Sequence, residues 1–78
     1  MDMRKLVGLN VRRLRIARQL TQEQFAERSG FSQQYISDLE RGRRNPTIVS
    51  LYELAVALDA WPVDLLHESP EDAAISSV

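Results

Sequence analysis

TQEQFAERSGFSQQYISDLERGRRNP, residues 21–46, reads as a helix, a tight glycine turn and a second helix. Thr21 is placed to cap the first of these, and Gln24 follows three residues later, the spacing of a capping box. Ala26 lets two helices cross closely, and Gly30 supplies the positive φ that a sharp turn needs. Ser32 is the cap of the second helix. Along that helix Tyr35, Ile36 and Leu39 form an apolar side. Gln33, Gln34, Ser37, Asp38 and Arg41 form a polar stripe at i, i+4 spacing. A short helix that keeps amides, a hydroxyl and charges on one face has the groups needed to read base edges.

The segments on either side continue the helical pattern. Val7, Val11 and Leu14 mark an i, i+4, i+7 stripe that predicts a first helix over about Arg4 to Arg18, with Leu20 as a core plug before Thr21. The second and third helices are expected over about Gln22 to Arg28 and Gln33 to Arg41, with Gly42 as the stop. Arg43, Arg44, Asn45 and Pro46 form a loop. Thr47 then caps a fourth helix over about Ile48 to Leu58, whose inner stripe is Leu51, Leu54, Ala55 and Leu58. Asp59 and Ala60 make a turn, and Pro62 suits the first turn of a short fifth helix, about Pro62 to Leu66. HESPEDAAISSV, residues 67–78, reads as a flexible acidic tail. No repeat and no strand alternation interrupts this order, so residues 1–66 are expected to be one all-α domain of five helices.

A chain of 78 residues has room for one domain and a small core. It has no cysteine, hence neither a disulfide frame nor a thiolate metal site. No apolar run approaches the roughly 20 residues of a membrane span, and the N-terminus lacks a signal-peptide core. A cytoplasmic protein without membrane contact is expected. The net charge of −1 is unevenly spread. All ten Lys and Arg lie within residues 1–44 against five acids, which leaves that half at +5; the six remaining acids leave residues 45–78 at −6. The basic half contains the glycine-turn motif, so one end attracts phosphate while the other avoids it. The single histidine, His67, has no placed partner, and the three glycines form no phosphate loop. Neither catalytic residues nor a metal, cofactor or small-molecule ligand are expected.

Three stretches, LNVRRLRIARQLTQ, FAERSGFSQQYISDLERGRRNPT and SLYELAVALDAWPVDLL, resemble the Cro/CI-type (Xre) helix-turn-helix DNA-binding family. The likeness runs from about Val7 to Leu66. Chain size and the stretch ERGRRNPTIVSL are also similar to the small controller proteins of restriction–modification systems. The resemblance implies a lambda-repressor-like domain that places its third helix in the major groove of double-stranded DNA. Gln33 and Gln34 are then the first base-contact candidates, because a glutamine amide can pair bidentately with adenine N6 and N7. Ser37 and Asp38 follow one turn on. Ser37 can bond base or phosphate, whereas Asp38 can accept from cytosine N4 or pair with Arg41 at i+3.

Phosphate-contact candidates are Thr21 and Gln22 at one helix start, Ser32 and Tyr35 at the next, and the cationic loop Arg41, Arg43, Arg44 with Asn45. Gln22 is similar to a family residue that anchors phosphate and braces an amide of the third helix. Arg15 and Glu40 resemble a structural ion pair that ties the first helix to the end of the third. The family likeness further implies a homodimer on an inverted-repeat operator. Val49, Tyr52, Trp61, Val63 and Leu65 are candidates for its interface or, equally, for the core. The expected function is sequence-specific regulation of transcription, with the sign of regulation and any contact with RNA polymerase left open. The alternative is an antitoxin or co-regulator whose acidic half, Trp61 and tail bind a protein.

Overall fold

Each of the four α-helices in the computed structural model, which describes residues 1–68, starts at a side-chain cap. Asp2 opens α1 (Met3–Ala17) by accepting from the amides of Arg4 and Lys5 at 3.1 and 3.3 Å. Thr21 opens α2 (Gln22–Ser29) with a complete capping box. The Gln24 amide donates to Thr21 Oγ1 at 3.0 Å, and the Thr21 amide donates to Gln24 Oε1 at 2.9 Å. Ser32 accepts from the Tyr35 amide at 3.0 Å to start α3 (Gln33–Glu40), and Thr47 accepts from the Ser50 amide at 3.0 Å to start α4 (Ile48–Ala57). Gly30 closes α2 at φ 84°, in the left-handed region, with its N–H on the Ala26 carbonyl.

The fifth element departs from expectation. Pro62–Leu65 forms a 3-10 turn rather than an α-helix. Its bonds span three residues, from Asp64 N–H to the Trp61 carbonyl and from Leu66 N–H to the Val63 carbonyl. So short a segment forms too few i→i+4 bonds to offset the cost of helix nucleation. Packing fixes it instead: Leu65 has no exposed surface and joins the core with Val11, Phe25, Ile36, Leu54 and Leu58. Leu65 is therefore not an interface residue. The turn's geometry points it inward while its neighbours Val63 and Leu66 remain exposed.

Two side chains lock the ends of the fold together. The buried amide of Asn10 donates to the carbonyls of Leu65 and His67 at 3.0 and 2.9 Å, which fastens the final turn to α1. Arg18 donates to the carbonyls of Leu58 and Asp59 at 2.9 and 3.0 Å and so ties the end of α1 to the end of α4. Glycine permits a close approach of α1 to the end of α3. A Cβ on Gly8 would stand 2.3 Å from the Leu39 carbonyl oxygen and 3.0 Å from that of Glu40. The acidic tail expected over residues 67–78 lies outside the described residues from position 69 onward. No helix of the described residues is long and apolar enough to cross a membrane.

Candidate nucleic-acid interface

α3 is fixed from beneath and open above. Ile36 and Leu39 are wholly buried on its inner side, whereas Gln33 and Gln34 are exposed at its first turn. Ser37 and Asp38 are half-buried one turn further along. The sequence fold-back at Gly30 brings α2 alongside, so that Gln22 joins Gln33, Gln34 and Ser37 around one shallow polar depression. Four groups able to donate or accept thus face the same space.

The far end of α3 is held by charge. Arg15 forks onto Glu40, with Nε to Oε2 at 2.6 Å and Nη2 to Oε1 at 3.0 Å, and its Nη1 donates to the Leu20 carbonyl at 2.9 Å. The Glu40 side chain is only 4% exposed. A fork of this kind fixes both distance and orientation between α1 and α3. Gln22 also donates to Glu40 Oε1, at 3.2 Å. Its amide therefore braces the ion pair, where the family likeness implied an amide of the third helix.

The outer face has its own network. Gln34 Nε2 donates to Asp38 Oδ1 at 3.0 Å, and Arg44 Nη2 lies 3.5 Å from Asp38 Oδ2. The cationic partner of Asp38 is thus Arg44 of the loop, not Arg41 one turn away. The Arg43 amide donates to the Asp38 carbonyl at 2.9 Å, so loop and helix are joined through backbone as well. The Arg44 guanidinium also lies over the Tyr35 ring, 5.1 Å from its centroid, and Tyr35 stacks on Phe31 at 4.6 Å. Burial pushes the Tyr35 phenol above its ordinary pKa, and the adjacent Arg44 charge only partly opposes this. The hydroxyl accordingly stays protonated at neutral pH and remains a donor.

The other phosphate candidates differ in their settings. The Thr21 and Ser32 hydroxyl oxygens accept from backbone amides as caps, which leaves each O–H able to donate outward. Arg41 and Arg43 are exposed. Asn45 lines a groove with Met3, Arg4, Ile48 and Leu66, a set that contains neither glutamine of α3. Of the dimer candidates, Val49, Tyr52, Trp61 and Val63 are exposed, Trp61 to 76%. Ile48 and Val56 extend the same apolar surface and were not singled out from the sequence, although Ile48, Tyr52 and Val56 recur at i, i+4, i+8.

Comparison with known proteins agrees with this geometry. A helix-turn-helix family model (HTH_3) matches residues 11–64. An uncharacterized HTH-type transcriptional regulator, y4dJ of Sinorhizobium fredii, is 62% identical over 71 residues, covering 91% of this chain and 92% of its own. The crystal structure of the restriction–modification controller protein C.AhdI from Aeromonas hydrophila is 40% identical with a TM-score of 0.77, over 81% of this chain and 96% of that one. The controller protein C.Esp1396I, solved as a tetramer with its natural 35 base-pair operator, is 28% identical with a TM-score of 0.76, over 97% of this chain and 93% of that one. Matched by the family model over more than half of its length and by a relative 62% identical over 91% of it, this chain belongs to the Xre-type helix-turn-helix family (HTH_3).

Proposed function

We propose that this protein is a DNA-binding transcriptional regulator, not an enzyme, and that it acts in the cytoplasm as a homodimer on an inverted repeat. The observation that carries the reading is the outward, polar face of α3. Gln33 and Gln34 stand exposed on a helix whose opposite side is fully buried and whose end is forked to α1. In the groove, these amides would select bases while Arg41, Arg43, Arg44, Tyr35 and the helix starts at Thr21 and Ser32 hold phosphates. Control would follow from protein concentration and operator position relative to RNA polymerase. The named likenesses to controller proteins support a role at a restriction–modification operon.

A salt titration tests the phosphate clamp. Arg43→Ala with Arg44→Ala should lower affinity for random duplex as well as operator and reduce the steepness of log K against log salt by about 2 per subunit. An unchanged slope would remove that loop from the interface. If the parent chain bound no duplex even at low salt, a protein partner would become the better reading.

The exposed apolar surface on α4 and the final turn supplies the dimer in this reading. Trp61 is its largest and most accessible aromatic, and such residues dominate interface energetics. Trp61→Ala should weaken self-association about 30-fold, the equivalent of a 2 kcal/mol hot spot. Sedimentation equilibrium would measure this, and an unshifted dissociation constant would place the interface elsewhere. Because Trp61 is exposed, the monomer should keep its fold.

A further inference from the structure

We infer that Asp38 does not read DNA itself but latches Gln34, presetting its amide in the one orientation that suits adenine. The inference deepens the proposed DNA-reading function and rests on it. A carboxylate only accepts hydrogen bonds. Set 3.0 Å from Gln34 Nε2, it admits the amide with nitrogen toward Asp38 and oxygen away, and repels the flipped form. Nε2 carries two hydrogens, and one remains after the bond to Asp38. Oε1 and that second N–H then form a donor–acceptor couple, the complement of adenine N6–H and N7.

Asp38 can act as a latch because it is itself fixed. Its other oxygen faces Arg44, its carbonyl accepts from the Arg43 amide, and its side chain is only 19% exposed. Arg44 in turn rests on Tyr35, which stacks on Phe31 against the core. Order therefore passes from packed aromatic rings to an exposed amide through one arginine and one carboxylate. A free glutamine in the groove would have to be immobilised on binding; this one is largely oriented beforehand. A direct role for Asp38 as an acceptor for cytosine N4 fits less well, since its oxygens are engaged by Gln34 and Arg44 and an acid is repelled by phosphates.

The test has two readouts. Nitrogen-15 NMR of the DNA-free protein should show the Gln34 side-chain amide shifted from that of a free glutamine. Asp38→Ala should return it to the free position, and Asp38→Asn, whose amide donates as well as accepts and so tolerates the flipped form, should not hold it as the carboxylate does. A Gln34 signal unmoved by Asp38→Ala would overturn the latch whether or not DNA binds. Selection of duplexes from a random pool is the second readout. Asp38→Ala and Gln34→Ala should relax the same A·T pair in each half-site, by about tenfold for Asp38→Ala. The double variant should be no worse at that pair than Gln34→Ala, and Asp38→Asn, which admits either orientation of the Gln34 amide, should also lose preference there. Relaxation at a separate C·G pair, or an Asp38→Asn protein as selective as the parent, would overturn the inference. Failure of the parent to enrich any duplex would instead refute the proposed function, with the amide signal still deciding whether the latch exists.

Discussion

Gly8→Ala should lower the stability of the fold by about 3 kcal/mol, the upper part of the range for overpacking, because the obstacle is backbone. The added methyl would sit 2.3 Å from the Leu39 carbonyl oxygen, and the Glu40 carbonyl lies 3.0 Å away on the same side. Neither oxygen can turn aside as a side chain would, since both belong to the last turn of α3. Relief requires α1 and α3 to separate, which in turn stretches the Arg15–Glu40 fork. At a domain of this size, such a loss should lower Tm by about 15 °C. Thermal unfolding followed by far-UV circular dichroism measures it. A change of only a degree or two would mean that the two helices do not approach as closely as described. Any protein that remains folded should also bind DNA less selectively, because α3 would be displaced relative to α1.

The second large effect concerns function alone. Gln33→Ala with Gln34→Ala removes two exposed amides and no core contact, so stability should hardly change. Each base contact of this kind contributes about 1–3 kcal/mol of discrimination, so preference for an operator half-site over random duplex should fall about 100-fold or more. Weak general binding and its salt dependence should persist, since the phosphate-holding groups are intact. Competition binding against random duplex measures the ratio. A variant as selective as the parent would place base readout on other residues.

Much of this arrangement was legible before any coordinates. The caps at Thr21, Ser32 and Thr47, and the stop at Gly30, follow from local hydrogen-bond chemistry that acts within a few residues. Helix positions therefore agreed to within a residue or two. The turn over Pro62–Leu65 did not, because a four-residue segment takes its form from what it packs against. Leu65 shows the same limit: in a short apolar run, sequence does not say which residue faces inward. Gly8 and Asn10 passed unnoticed because their roles depend on elements distant in sequence. Gly8 meets Leu39, and Asn10 meets Leu65 and His67. Within the site, the polar stripe of α3 was evident from spacing, whereas its wiring was not. Arg44 lies six residues from Asp38, outside the i+3 and i+4 rule that pointed to Arg41, and reaches it only because the loop turns back at Gly42, whose φ is 75°.

These differences share a cause. Local rules fix where a helix starts and which face is polar, and the tertiary arrangement decides which polar groups find one another. The candidate interface depends on both levels. Its reading face was set by the alternation along residues 33–38, and its rigidity by the contacts of Arg15, Gln22 and Arg44 with acids placed elsewhere in the chain.

Enrichment of duplexes bound by the parent chain from a random pool, followed by sequencing, bears most directly on whether the outward face of α3 reads DNA as part of a symmetric pair. The expected outcome is a single inverted repeat whose half-site centres lie about one helical turn, roughly 34 Å, apart. A pool that shows no enrichment, or that converges on a site without two-fold symmetry, would contradict it.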